Sequence, residues 1–260
     1  MLEALNERQR EAVKKTNGPL VVISGAGTGK THVLTGKILY LLREKNISSS
    51  QILALTFTEK AALEISGRVE SALALGHEEV WIKTFHGLCD AILRERAHEI
   101  GLSLDYKIFQ TPDLWGFVKH HLPDLKLKLY RPLGNPERFL QAIHEYFSRL
   151  QDEDIKPETY ASFAVQAKKQ AQSDDDLEFA ARHEELARAY QIYLELLTKN
   201  AVLDFGSLIY FTLRLFEDRP SVLRDFQERF RYILVDEFQD TNFAQNKLVT
   251  LLAKRHQNLT

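Results

Sequence analysis

A single cysteine, Cys89, among 260 residues leaves no partner for a disulfide within the chain. That usage fits a reducing compartment, so the expected location is cytoplasmic. No apolar run approaches the roughly 18 residues that a membrane-crossing helix needs, and no membrane partner is expected. The opening residues, MLEALNERQREAV, carry charges and lack the apolar core of a signal peptide. Charge of one sign is also missing: 34 Lys and Arg stand against 36 Asp and Glu. That balance excludes a uniformly basic nucleic-acid binder, and any such contact must be local and positioned. Neither an internal repeat nor a low-complexity tract is present. What remains is an ordinary globular composition, long enough for one large domain or two smaller ones.

The patterning changes along the chain. Residues 3–15 read as a short helix, and Leu20-Val21-Val22-Ile23 as a buried strand. The loop Ser24-Gly25-Ala26-Gly27-Thr28-Gly29-Lys30-Thr31 follows, then a helix over 31–42 with Val33, Leu34, Ile38 and Leu41 on one face. Ile52-Leu53-Ala54-Leu55-Thr56-Phe57 is a second strand, and Thr58-Glu59-Lys60-Ala61 opens another helix. A third strand, Val80-Trp81-Ile82-Lys83-Thr84-Phe85, leads into a helix from His86. Strand and helix alternating at this spacing argue for a parallel sheet covered by helices. From Gln110 to Leu197 the patterns are helical and broken by prolines. Asp174-Asp175-Asp176 reads as a solvated loop or helix start, and 119–131, KHHLPDLKLKLYR, as a locally basic surface. Tyr232-Ile233-Leu234-Val235 restores the strand pattern. The simplest organisation is an α/β domain in segments 1–108 and 198–260, with an all-helical insertion at 109–197.

A glycine-rich loop between strand and helix, ending Gly-Lys-Thr, suits a phosphate. Backbone N–H groups and the helix N-terminus would face the anion. Lys30 would reach the β- and γ-phosphates, and the Thr31 hydroxyl would meet Mg²⁺. Ser24 stands where the pattern GxxxxGK[ST] has its first glycine. Downstream, Asp236 and Glu237 end a buried strand, where ligands of open α/β sheets bind. Asp236 would hold Mg²⁺, and Glu237 would orient or deprotonate the attacking water.

Taken in order, these stretches resemble the UvrD/Rep/PcrA helicases of superfamily I over nearly the full length. Leu5-Asn6-Glu7-Arg8-Gln9 is similar to the family's glutamine motif. SGAGTGKT, Thr56-Phe57-Thr58-Glu59-Lys60-Ala61-Ala62, Thr84-Phe85-His86-Gly87-Leu88, Leu203-Asp204-Phe205 and Ile233-Leu234-Val235-Asp236-Glu237-Phe238-Gln239-Asp240-Thr241 match further family motifs. The resemblance implies a P-loop, RecA-like sheet flanked by helices and carrying the helical insertion. It also implies ATP and Mg²⁺ as ligands, 3′-to-5′ movement along single-stranded DNA, and unwinding at single-strand/duplex junctions. Gln9 would read adenine, and 24–32, including Ser24, Gly25, Ala26, Gly27, Thr28, Gly29 and His32, would line the nucleotide. Gln239 would sense the γ-phosphate. Thr56, Phe57, Thr58, Lys60, Thr84 and His86 would touch DNA, with Phe57 stacking on a base and Lys60 neutralising a phosphate. His32 departs from the arginine common after the family's Gly-Lys-Thr.

The chain stops at Thr260, where the family's next strand would begin. The expectation is therefore an N-terminal motor portion that lacks its second RecA-like domain, a partner carrying arginines for the γ-phosphate. Such a fragment should bind nucleotide weakly, hydrolyse it poorly and not unwind. The alternatives are the motor portion of an AddA/RecB-type helicase–nuclease, or a stand-alone nucleotide-regulated DNA-binding module. A P-loop kinase is disfavoured by the insertion.

Overall fold

The computed structural model describes residues 5–25, 27–73 and 80–260. In chain order the elements are α1 (Glu7–Lys14), α2 (Lys30–Arg43), β1 (Ile52–Thr56), α3 (Glu59–Ala72), β2 (Trp81–Thr84), α4 (Phe85–Arg96) and β3 (Lys107–Ile108). There follow α5 (Thr111–His120), α6 (Leu140–Asp152), α7 (Pro157–Gln170), α8 (Asp174–Lys199) and β4 (Val202–Leu203). The chain continues through α9 (Phe205–Asp218), α10 (Pro220–Arg229), β5 (Tyr232–Val235) and α11 (Phe243–Ala253). It divides into two compact units. One holds the described residues up to Ala91, with Leu215–Thr241 and Gln245–Thr260; the other holds Ile92–Arg214 and Asn242–Ala244.

The first unit is built on a parallel sheet in the order β2-β1-β5. Leu53 sits opposite Trp81, and Ile52 opposite Tyr232. Strands β1 and β5 are buried throughout, as their unbroken apolar runs require. Side chains alternate between the two faces. Ile52, Ala54, Tyr232 and Leu234 join Leu34, Ile38 and Leu41 of α2 and Ile65 and Val69 of α3 in one core. Burying a side chain such as Ile38 or Ile52, both without exposure, contributes about 1.5–3 kcal/mol each. The sheet thus carries helices as the α/β class demands, and its C-terminal strand ends bring Thr56, Thr84 and Asp236 to one side.

One expected strand does not form. Residues 20–23 make no ladder: Leu20 N donates to Leu259 O at 2.8 Å, but Val21 and Ile23 are 81% and 93% exposed. A strand exists only where a neighbour offers a matching row of donors and acceptors. Here the neighbouring backbone is 258–260, which pairs with β5 through Ile233 and Val235. The run has the composition of a buried strand and stands as an open edge.

In the second unit β3 and β4 pair in parallel, Lys107 opposite Val202 and Ile108 opposite Leu203. They close the chain at the base of α5–α8, so the helical stretch expected over 109–197 contains no strand. Helix α8 starts at the acidic run. Ser173 Oγ accepts from Asp176 N at 3.2 Å, and Asp176 Oδ2 accepts from Ser173 N at 3.0 Å, a reciprocal cap. Three acids in the first turn also suit the positive end of the helix. Phe147 anchors the core, its ring 5.2 Å from Tyr190 and 5.5 Å from Tyr193. The basic stretch 119–131 is partly neutralised: Lys119 pairs with Glu137 at 2.9 Å, and the buried Glu185 accepts from the amides of Leu129 and Tyr130.

Candidate nucleotide site and DNA-facing strip

The loop before α2 needs glycine where glycine stands. Gly27 has φ 72° and Gly29 φ 95°, left-handed values that side chains resist. Thr28 Oγ1 donates to Gly25 O at 2.7 Å and tightens the turn. Helix α2 begins with no side-chain cap, so its first amides are left for an anion. A groove of about 320 Å³ lies there, lined by Gly27, Gly29, Lys30, Thr31, His32 and Glu237. Ser24 Oγ is buried without a hydrogen-bond partner, on a second cavity of about 510 Å³ that shares Lys30 and Glu237 with the groove. Ala26, expected in the same cradle, lies outside the described residues.

Gln9 comes to this loop from α1. Its Nε2 donates to Thr28 O at 3.0 Å, and its Oε1 accepts from Asn6 N at 2.9 Å within the α1 cap. Both ends of the amide are therefore anchored by backbone groups that fix it against the loop, while a second Nε2 hydrogen and a second Oε1 lone pair stay open. A Cβ on Gly29 would stand 3.0 Å from Gln9 Nε2. Gly29→Ala is expected to destabilise the protein by about 1 kcal/mol or more through strain at positive φ. It should also push Gln9 away and weaken ATP binding. Thermal melting and nucleotide titration on one sample check both effects.

The acids arrive from β5. Asp236 N donates to Leu55 O at 2.9 Å, which ties the strand end to β1. Glu237 then adopts φ 49° and ψ 44°, left-handed and costly for a glutamate. This turn brings Glu237 Oε1 to 3.2 Å from Lys30 Nζ, and Gln239 Nε2 to 2.6 Å from Glu237 Oε2. Hydrogen bonding from Gln239, then from Lys30, holds the Glu237 carboxyl below its ordinary pKa. Burial, then the neighbouring Glu237, raises that of Asp236. Two adjacent carboxyls are thus split by environment, and Glu237 stays ionised as a base must.

Loop, lysine and acid pair meet at one point. The model of the UvrD/REP helicase N-terminal domain family matches residues 5–260. The chain belongs to that family. It is 41% identical over 260 residues to the ATP-dependent DNA helicase PcrA of Bacillus subtilis strain 168, covering 100% of this chain and 32% of that protein. PcrA of Staphylococcus epidermidis strain RP62A is 39% identical over 259 residues, 100% of this chain and 33% of the relative. PcrA of Staphylococcus aureus strain Mu50 is 39% identical over 260 residues, with the same coverage. The chain spans about a third of the length of the curated relatives it matches.

Beyond the nucleotide groove, the strip quoted for DNA contact is unevenly presented. Thr56 and Thr84 are each only 4% exposed. Thr84 Oγ1 donates to Glu59 Oε1 at 2.8 Å and accepts from Gly87 N at 3.0 Å, joining the two segments of the strip. Thr58 Oγ1 caps α3 by accepting from Ala61 N at 3.1 Å. Phe57 lies against Phe85, ring centroids 5.4 Å apart, and is half-buried like His86, whereas Lys60 is exposed. So Thr58 and Thr84 tie the strip together, while Phe57 and His86 are partly exposed and Lys60 is exposed.

Two basic residues near the nucleotide groove carry no motif and were not expected there. Arg68 of α3 lines the groove, with Nη2 2.5 Å from Glu64 Oε1 and Nη1 buried without a hydrogen-bond partner. Lys37 of α2 is 3% exposed. A cation at a position of α2 that otherwise reads as core was the only signal for Lys37; for Arg68 there was none.

Among the described residues no group of three or more His, Cys, Asp or Glu could hold a metal by itself. The donors present, the Thr31 hydroxyl and the Asp236 carboxylate, suit an ion that keeps waters and takes its other ligands from phosphate. That is the habit of Mg²⁺. Among the same residues no helix is long and apolar enough to cross a membrane.

Proposed function

We propose that this chain is the ATP-binding motor portion of a cytoplasmic 3′-to-5′ DNA helicase, a RecA-like domain in two segments with a helical insertion. The reading is carried by the approach of Lys30 to Glu237 at 3.2 Å, at the mouth of a glycine loop with an uncapped helix behind it. Mg²⁺, held by Thr31 and Asp236 together with the nucleotide, would neutralise phosphate charge. Lys30 exchanges its pairing with Glu237 for the β- and γ-phosphates. Glu237, once released, orients and deprotonates the attacking water. Gln239, hydrogen-bonded to Glu237, reports the exchange toward the DNA-facing strip. Gln9 reads adenine, and His32 takes the place beside the base. Phe57 and His86 stack on or hold single-stranded DNA, and Lys60 neutralises a phosphate. A second RecA-like domain supplies the remaining charge for the transition state, and the pair opens duplex at a junction. Relatives named as PcrA helicases favour this over a helicase–nuclease.

Binding of Mg-ATP and of a fluorescent oligo-dT to the purified chain tests the proposal. Phe57→Ala is expected to weaken oligo-dT binding by about tenfold, since stacking contributes about 1–3 kcal/mol per base. ATP affinity should be unchanged. Equal binding of oligo-dT by wild type and Phe57→Ala would remove the aromatic from the interface. Failure to bind Mg-ATP would remove the nucleotide site itself.

A further inference from the structure

Helix α1 spans only eight residues, too few to hold shape or place by itself. Yet it carries Gln9, whose contact with Thr28 sets it against the phosphate loop. Something must fix α1 along its axis. Part of the answer is apolar: Leu5 and Val13 pack with Val33 of α2. Part is a close approach at Gly36, where a Cβ would meet Val13 Cγ2 at 3.3 Å and Leu5 Cδ1 at 3.5 Å. These contacts resist separation and leave sliding and rotation less constrained.

The directional contact is Lys37. Its Nζ donates to Lys15 O at 2.5 Å and reaches Ala12 O at 3.4 Å. Those carbonyls belong to the last turn of α1, where intrahelical partners run out and the helix dipole is negative. A cation placed there satisfies orphan acceptors and stops the helix from moving along its axis. Gln9 lies six residues before Lys15, about 9 Å up the same rigid rod. The residue is 3% exposed, so its ammonium is turned to the carbonyls of α1 and not to bulk solvent. Burial, then the charge of Lys15, lowers its pKa to about 8.

We infer that Lys37 is a positioning residue for base selection: by capping the C-terminus of α1 it holds Gln9 in register with the phosphate loop. The inference rests on the reading of Gln9 as the adenine reader and adds the device that aims it. Lys37 is absent from the lining of the groove at the phosphate loop, so its effect there runs through α1.

The test uses the whole chain and three probes: Mg-ATP, Mg-GTP and Mg-pyrophosphate. Lys37→Met keeps length and packing and removes the charge. The ratio of ATP to GTP affinity is expected to fall about tenfold, the scale of one lost hydrogen bond. Pyrophosphate affinity should stay within about twofold of wild type, because the loop itself is untouched. Lys37→Arg should restore the ratio. In parallel, hydrogen exchange without nucleotide should quicken at amides 10–13 in Lys37→Met and stay unchanged in α3. An unaltered ATP-to-GTP ratio in Lys37→Met overturns the inference, and so does unaltered exchange in α1. A wild type that binds pyrophosphate but does not prefer ATP would overturn the adenine reading of Gln9 instead. The α1 exchange would then decide whether Lys37 holds the helix.

Discussion

Lys30→Ala is expected to weaken Mg-ATP binding by roughly a hundredfold while leaving the melting temperature within about 2 °C of wild type. The two halves have different physical sources. In the structure Lys30 pairs with Glu237 at 3.2 Å, but the side chains are 28% and 40% exposed. An ion pair that open to water contributes only about 0–1 kcal/mol, so the fold loses little. Against a polyphosphate the same ammonium makes charge-assisted hydrogen bonds of about 1.5–3 kcal/mol, up to roughly a hundredfold in affinity. By the same inequality, a bound phosphate is expected to displace Glu237 from Lys30. Glu237→Gln separates binding from chemistry. It keeps the side-chain volume, removes the base, and should bind ATP at least as tightly as wild type while turnover falls by about 10²-fold or more. Calorimetric titration and a phosphate-release assay on the three proteins suffice. If Lys30→Ala binds as tightly as wild type, the loop does not hold phosphate. If wild-type turnover stands above background and Glu237→Gln matches it, the base lies elsewhere; if the wild type binds ATP but turns over only at background, the site is half of a composite one.

How far the sequence could be read depended on whether a signal was local. β1, β2 and β5 were legible because a run such as Tyr232-Ile233-Leu234-Val235 has few other uses. The same logic misplaced 20–23, since composition states what a segment would bury and not whether a neighbour is there. That the loop, Lys30 and Glu237 would converge was legible because the residue types and short spacing of a phosphate loop pair with an acidic strand end. Gln9 was singled out only through the family resemblance, since alone it reads as a solvated helix residue, and its dual attachment to Asn6 and Thr28 depends on α1 meeting a loop 19 residues away. Thr84 was read as a contact for DNA, and the structure sends its hydroxyl to Glu59, 25 positions earlier. Lys37 and Arg68 could not be singled out: a cation on a helix is usually solvated, and only the packing of α1 and the shape of the groove show otherwise.

Asp204→Ala is expected to lower the stability of the second unit by about 3–5 kcal/mol, the largest effect of any single change outside the nucleotide groove. The sequence showed Asp204 only as the middle of Leu203-Asp204-Phe205. In the structure it is 4% exposed and its carboxylate accepts two hydrogen bonds, with a histidine nitrogen close by. Tyr193 donates its hydroxyl to Oδ2, Ser207 N donates to Oδ1 at 2.7 Å, and His144 Nε2 stands 3.5 Å from Oδ2. Asp204 N in turn donates to Ser207 Oγ at 2.9 Å, so the aspartate caps α9 while it anchors α6 and α8. Burial would raise its pKa, but His144, Tyr193 and Ser207 outweigh that and leave it below the ordinary value. Alanine would strand these donors in a dry interior. With domain stabilities of about 5–15 kcal/mol, the melting temperature of this unit should drop by about 10 °C. Asp204→Asn keeps an acceptor for Ser207 N and loses the charge, so it should fall between the two. The pH dependence separates charge from shape. A carboxylate with a depressed folded pKa stabilises fully above its unfolded value, near 4, and loses that contribution as pH falls through the folded value. Wild type and Asp204→Asn should therefore differ most at neutral pH and converge in acid. A gap between them that is constant from pH 7 down to pH 3 would mean that the carboxylate's charge contributes nothing and that Asp204 acts by shape alone.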